Sequence, residues 1–422
     1  MQTMKSTLTF LLFITAFSAL TGQFLEVSQG AGYGQAVYLD LTTGSNTAIP
    51  HDAWDIAFNV GGRSSGILIN EGVAAAQASP APEVELYGST ATHFAPADTA
   101  DITRRLYNGK SSWDDGAFNA LATPGSPFDV GWGNYSPATQ TVVGSRVFFV
   151  KTRAGEYRKL FISSLAGGKY TFLHGPLDGS SVDTVTVDKT LFIGKTLAYF
   201  SFADGVVDLE PERWDLLFTR YVTPLPDGEN ILDYTVTGVL QNQNVSVAKL
   251  SGVDPPTVAA PAASAYNDTL TTIGYDWKEF NLTTFQWSIP EDLVYFVRNA
   301  ETIFRVQFLD FEGSGTGIST LSVEVAGSVA VAELPRTVAS SRLYPNPAPD
   351  RVFLEIDART AAEDLSLEVI SVAGQTLLAS RVRALHPGLN QLEISVRELP
   401  AGNYFLRLRG SLGVVVHHLV KQ

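Results

Sequence analysis

The residues of this 422-residue chain best suited to chemistry are three histidines and two aspartates. His51, His93 and His174 precede the C-terminal tail, and an imidazole can act as a general base or as a metal ligand. Asp55 and Asp215 stand in one recurring string, Trp-Asp-aliphatic-x-Phe, read as HDAWDIAF from His51 and ERWDLLF from Glu212. A catalytic carboxylate needs a partner acid, base or metal ligand held beside it. None recurs with the string: His51 precedes the first copy, and Glu212 with Arg213 precedes the second. Each aspartate therefore reads as an acceptor of backbone N–H groups where a strand begins. Cysteine is absent, which excludes disulfides, thiolate nucleophiles and cysteine metal sites. Neither a G-x-S-x-G elbow nor an HExxH pair occurs. GAGYGQ from Gly30 reads as a flexible lead into a strand, and GSGTG from Gly313 as a hairpin turn.

The elements that must position these residues alternate with period two. In WDIAFNV, Trp54, Ile56, Phe58 and Val60 fall on one face, with Asp55 and Asn59 on the other. VFFVKT and YRKLFI are dense in β-branched and aromatic residues, as strands are. Asp98 and Asp101 suggest one short helix over 98–107, and 110–128 reads as a long loop. The class is all-β.

The string belongs to a longer duplication. Gly34 aligns with Gly194, Trp54 with Trp214, Asp55 with Asp215 and Phe58 with Phe218, without a gap. A second phrase also recurs. DVGWGNYSP around Trp132 precedes SRVFFVKTRAGEYRKLFISS, and TIGYDWKEFNL around Trp277 precedes DLVYFVRNAETIFRVQFLDF. There Phe149 aligns with Phe296, Arg158 with Arg305 and Phe161 with Phe308. The expected organisation is a leader at 1–22, tandem modules at 23–185 and 186–332, a linker at 333–341 and a tail at 342–422.

The leader has one lysine, Lys5, then an apolar run from Leu8 to Leu20 and small residues to Gly22, the pattern of a secretory signal peptide. No later run is long and apolar enough for a transmembrane helix. The net charge of −14 opposes a nucleic-acid partner. It is unevenly spread: residues 6–335 carry 18 basic and 35 acidic side chains, residues 336–422 carry 10 and 8. Short strands separated by Gly and Pro-Ala-Gly turns make the tail a small β-sandwich.

LYPNPAPDRVFLEI (Leu343–Ile356), ISVAGQTL (Ile370–Leu377), LPAGNYFLRL (Leu399–Leu408) and the last strand ending near Lys421 resemble the C-terminal sorting domain of the type IX secretion system of Bacteroidota. The resemblance implies secretion or display at the outer-membrane surface, with the secretion machinery and its sortase as partners of the tail. The body, through its Trp-Asp-aliphatic-x-Phe strands and its Trp-then-YFV-then-Arg-x-x-Phe blocks, is similar to the HmuY-like secreted haem-binding proteins. That resemblance implies haem as a cofactor, held by two axial ligands from loops. His93 (TATHFAP) and His174 (TFLHGPL) are the candidate pair, in the first module only, because the second has no histidine.

Two functions follow as expectations, neither of them enzymatic. One is a secreted or cell-surface binding protein that captures haem or another hydrophobic small ligand. The other is an adhesive or structural surface module that binds glycan or protein. Trp113, Trp132 and Tyr135 are candidates for stacking on sugars, although burial is the commoner fate of such residues. The triplets at Asp98, Asp183 and Asp268 resemble O-glycosylation acceptors.

Overall fold

The computed structural model describes residues 23–72, 83–91, 93–300, 302–328, 338–371, 376–410 and 413–422. The expected leader and most of the linker lie outside them. The chain forms two compact units, dividing between Ser328 and Val329. No helix among the described residues is long and apolar enough to cross a membrane.

The body begins with β1 (Gln23–Ser28), β2 (Gln35–Asp40) and β3 (Ser45–Pro50). Next come β4 (Ile56–Asn59), β5 (Ile67–Ile69), β6 (Glu85–Ser89), β7 (Ile102–Leu106), β8 (Gly133–Ser136), β9 (Thr141–Gly144), β10 (Val147–Lys151), β11 (Tyr157–Ala166) and β12 (Lys169–Pro176). Then follow β13 (Asp183–Asp188), β14 (Leu197–Ser201) and β15 (Gly205–Val207). The body ends with β16 (Leu216–Asp227), β17 (Asn230–Gln241), β18 (Ser246–Leu250), β19 (Glu279–Asn281), β20 (Gln286–Ser288), β21 (Val294–Arg298), β22 (Thr302–Phe311) and β23 (Ile318–Ser328).

Pairing runs across the expected module boundary. β14 pairs with β4, Phe200 opposite Ile56, and β2 pairs with β16, Leu39 opposite Leu216. β13 adds to β12, while its counterpart β1 adds to β23. One core is therefore built from residues 56–202, and the other from 25–41 together with 216–323. We call these lobe 1 and lobe 2. The boundary at 185/186 is corrected accordingly: strands β13 to β15 close lobe 1, and β1 to β3 close lobe 2. Each of the expected copies thus opens with three strands that complete the lobe of the other.

The ungapped alignment also slips by one residue inside each hairpin. Leu39 and Phe200 occupy equivalent places, as do the turn glycines Gly44 and Gly205, whose φ values of 73° and 78° favour glycine. These pairs differ by 161 positions, whereas Asp55 and Asp215 differ by 160, so one turn is a residue longer. In the second phrase, Phe149 faces Lys159 and Phe296 faces Arg305. Lys159, not Arg158, is thus the counterpart of Arg305.

Between the lobes lies a third apolar cluster, formed by the other faces of β2, β4, β14 and β16. Those strands are buried on both faces, which is why they read as nearly continuous apolar runs. At its centre the Tyr38 and Tyr199 hydroxyls hydrogen-bond to one another. Around them Trp54 packs on Tyr199 at 5.0 Å and Trp214 on Tyr38 at 4.8 Å, a reciprocal pair. The chain bends at Asp55, so Trp54 joins this cluster while Ile56 and Phe58 enter the lobe 1 core. The expectation that all three share a face is corrected. The expected helix at 98–107 is one 3₁₀ turn, Thr99–Asp101, capped by Asp98 and followed directly by β7.

The tail is a β-sandwich by itself. β24 (Val338–Tyr344), β25 (Arg351–Ala358), β26 (Ala362–Ser371), β27 (Thr376–Leu385), β28 (Gly388–Ser395), β29 (Gly402–Gly410) and β30 (Gly413–Lys421) form sheets ordered β24-β25-β28 and β27-β26-β29-β30. They enclose one core that includes Leu354, Ile356, Leu367, Val369 and Leu406.

Candidate functional site

The recurring aspartates bind the exchanged strands. Asp55 Oδ2 accepts the N–H of Phe202 at 2.7 Å, and Asp215 Oδ2 accepts that of Leu41 at 2.8 Å. Each thus takes a bond from the chain just past the strand that the other copy supplies. Asn299 donates a further bond to Asp215 at 3.0 Å, and Arg153 lies 3.8 Å from Asp55. Burial raises both carboxyl pKa values, and the donated bonds oppose that rise. The buried Glu210 is committed in the same way, to the N–H groups of Thr196 and Leu197 and to Trp214 Nε1. Glu71 accepts from Asn108 and Val222.

His93 and His174 do not converge. His174, on β12, is buried among the rings of Phe172, Phe200 and Phe202. Arg158 lies 3.0 Å from its Nδ1; because arginine only donates, Nδ1 accepts and the proton sits on Nε2. Burial, with Arg158 beside it, lowers the His174 pKa. Ligation of iron through Nδ1 would displace Arg158, and ligation through Nε2 would need the ring proton on Nδ1, facing the Arg158 donor. His93 is exposed in a loop whose next residues, Phe94 and Ala95, are held by Lys159. Lys159 neighbours Leu160, the residue opposite His174, so the His93 loop is tied to the opposite face of the sheet. The residues present do not fit a haem held between these two histidines. Among the described residues, no group of three His, Asp or Glu is placed to hold a metal ion.

Two of the expected sugar-stacking residues, Trp113 and Trp132, are buried. Phe24, Phe128 and Tyr234 are exposed at separate places, and a cluster of exposed rings lies on the β19–β20 hairpin of lobe 2. Phe280 stands opposite Trp287, their rings 5.0 Å apart, and Phe285 at the tip lies 6.4 Å from Phe280. Phe285 is 75% exposed and adopts φ 54°, a conformation that bulky residues rarely take. The tip is held by Phe285 N–H to the Asn281 carbonyl at 2.8 Å, and by Asn281 Oδ1 accepting from Thr283 and Thr284.

Beneath the hairpin the rings continue into the core. Trp287 meets Phe311 at 5.0 Å, and Phe311 meets Trp277 at 5.5 Å. The Lys278 ammonium lies 4.2 Å from the Trp277 ring centroid and 4.7 Å from that of Phe311, and donates to the Thr237 carbonyl at 2.7 Å. Burial lowers its pKa to about 7. The outcome is a firmly seated platform of rings, edged by Asn281, Thr283, Thr284, Gln286 and Ser288. Such a platform can stack on the C–H face of a sugar ring while the amides and hydroxyls meet its hydroxyl groups. Sequence reasoning missed it, although Phe280, Leu282, Phe285 and Trp287 within eight residues of polar chain were its signal.

Among family models, one for the "Secretion system C-terminal sorting domain" matches residues 342–422. No curated protein matches the chain. Among solved structures, dimeric latent PorU from Porphyromonas gingivalis is 9% identical with a TM-score of 0.17, over 67% of this chain and 31% of PorU. The trimeric ectodomain of the C. elegans fusion protein EFF-1 is 8% identical with a TM-score of 0.15, over 95% of this chain and 94% of that one. Likenesses this low carry no argument about fold or function. The tail carries one: the chain ends in a type IX sorting domain, and it is exported by that system to the cell surface or released.

Proposed function

We propose that the exported body is a non-catalytic adhesive module that binds glycan through the β19–β20 hairpin. The observation that carries this reading is Phe285, a phenyl ring placed in solvent on a tip fixed by backbone hydrogen bonds. Core packing does not account for that placement, whereas a stacking partner does. The buried carboxylates described above are committed to backbone N–H groups and charge partners, which supports a binding role over hydrolysis. The HmuY-like likeness of the body and its haem ligands stay an expectation that the geometry of His93 and His174 does not favour.

The test is retention of the purified protein on insoluble cell-wall and polysaccharide supports. Wild type is expected to be retained on at least one support, and Phe285→Ala with Trp287→Ala to pass through unretarded. Equal retention of the double variant, or no retention of wild type on any support, would overturn the reading. A parallel haem titration is expected to give no Soret change that depends on His93 or His174.

A further inference from the structure

The two lobes differ at one hairpin in a way that opens a cavity in lobe 1. β8–β9 is the counterpart of β19–β20. Each follows a fully buried tryptophan, Trp132 or Trp277, and each has a tip residue at φ 54°, Gln140 or Phe285. Tyr135 faces Val142 across the first hairpin, as Phe280 faces Trp287 across the second. Val142 therefore stands where lobe 2 has Trp287. In lobe 2 that indole fills the space against Phe311, whereas in lobe 1 a cavity of about 430 Å³ remains, within the size range of small-molecule sites.

The chemistry of the cavity wall is specific. Val130, Tyr135, Val142 and Leu165 give an apolar wall that packs on the lobe 1 core. The charged residues lining it are two cations, Arg63 and Lys189, in a chain of net charge −14. Lys189 is fixed, donating to the Ser64 carbonyl at 2.6 Å and lying 5.2 Å over the Tyr170 ring. Arg63 is exposed and forms no ion pair with a carboxylate among the described residues. Three other cavities among the described residues lack this combination, the one beside Trp214 because Asp40, Glu212 and Asp215 line it with Arg213. The groove beside Phe24 pairs Arg305 with Glu324, and the cleft beside Trp113 carries only the acidic Asp114 and Asp268.

We infer that this cavity binds a small amphipathic carboxylate, with its apolar chain on Val130, Tyr135, Val142 and Leu165 and its carboxylate at Arg63. The match is one of charge and shape. The mouth offers a planar donor group suited to a carboxylate, and the wall beyond it offers no acceptor charge. The inference is independent of glycan binding, which uses the other lobe.

Calorimetric titration of the purified protein with decanoate, kept below its micellar concentration, tests the site. One decanoate per chain is expected, with decyltrimethylammonium binding at least tenfold more weakly. Arg63→Gln, a change at an exposed side chain, is expected to weaken decanoate by roughly tenfold, the loss of one charge-assisted contact. Val142→Trp installs the residue that lobe 2 carries at this place and is expected to abolish binding. Absence of saturable decanoate binding, equal binding of the cation, or unchanged affinity in Arg63→Gln would each overturn the proposal. If Val142→Trp fails to fold, Arg63→Gln and the cationic probe still decide it.

Discussion

The β8–β9 and β19–β20 hairpins show one backbone carrying two chemistries. Both turn through a residue at φ 54° whose N–H returns to the carbonyl four residues earlier, Gln140 to Ser136 and Phe285 to Asn281. The left-handed tip is thus a property of the shared hairpin, and the side chain placed there is what differs. One hairpin leaves a cationic, apolar-walled cavity beside Val142. The other fills that space with Trp287 and presents Phe285 outward. A duplicated scaffold can hold its pairing pattern while its surfaces diverge, because pairing is fixed by backbone groups and the buried aspartates rather than by the hairpin side chains.

The largest effect should come from those aspartates. Asp55→Ala leaves the half-buried Phe202 N–H and Asp215→Ala the buried Leu41 N–H without its charged acceptor, each at a cost of about 2–3 kcal/mol. For a body of this size that corresponds to a fall of about 3–5 °C in Tm. Since each lobe holds strands of both copies, either variant should lower a single calorimetric transition of the whole body. A variant in which one lobe melts ahead of the other would break the account of exchanged strands.

A pH-dependent effect of similar size separates the copies at another point, since His51 has no histidine counterpart before Trp214. His51 is buried, its Nε2 makes no hydrogen bond, and burial with Arg220 and Arg153 nearby lowers its pKa to about 3. Between pH 6.5 and 3 the unfolded chain therefore binds a proton that the folded one does not. Stability falls as pH drops through that window, by on the order of 2 kcal/mol at pH 5 from this group. The raised pKa values of Asp55, Glu71, Glu210 and Asp215 act with the opposite sign at acid pH. The readout is therefore a difference. His51→Gln should lose less stability than wild type between pH 7.5 and pH 5 in urea melts, and parallel losses would remove His51 as the cause.

Much of this architecture was legible in the sequence, and the failures share a physical origin. Alternation and turn residues announced an all-β chain, and the Tyr-Pro-Asn-Pro and Pro-Ala-Gly turns announced the tail. The Trp-Asp phrase disclosed the duplication and the structural use of its aspartate. It could not disclose that β14 pairs back to β4, because strands buried on both faces carry no alternation to show which neighbour covers them. The single-residue slips at Gly44/Gly205 and at Lys159/Arg305 were hidden by an alignment that matched residue types. Trp54 was placed with Ile56 because period two assumes a straight strand, and the chain bends at Asp55. Trp113 and Trp132 are core residues and Trp287 is not, a difference set by hairpin position rather than by residue type.

A smaller effect lies at the contact between lobes. Tyr38→Phe strands the buried Tyr199 hydroxyl, and Tyr199→Phe strands that of Tyr38, each costing about 1–2 kcal/mol. The double variant removes both polar groups and should be more stable than the sum of the single losses implies. Additive losses in denaturant melts would show that the hydroxyl pair does not couple the lobes.

The smallest change in stability, and the sharpest test of the comparison, is exchange of the tip residues. Phe285→Gln gives lobe 2 the residue that lobe 1 uses at the same φ, so the backbone need not move. The ring it removes is exposed, and stability should change by less than about 0.5 kcal/mol. Retention on the glycan support should nevertheless be lost, because the outermost ring of the platform has gone. Gln140→Phe adds a ring to lobe 1 without the neighbouring Phe280 and Trp287, and should not confer retention on a Phe285→Gln background. Rescue by Gln140→Phe would mean that one exposed ring on either hairpin suffices, so that the contiguous platform of lobe 2 is not what binds.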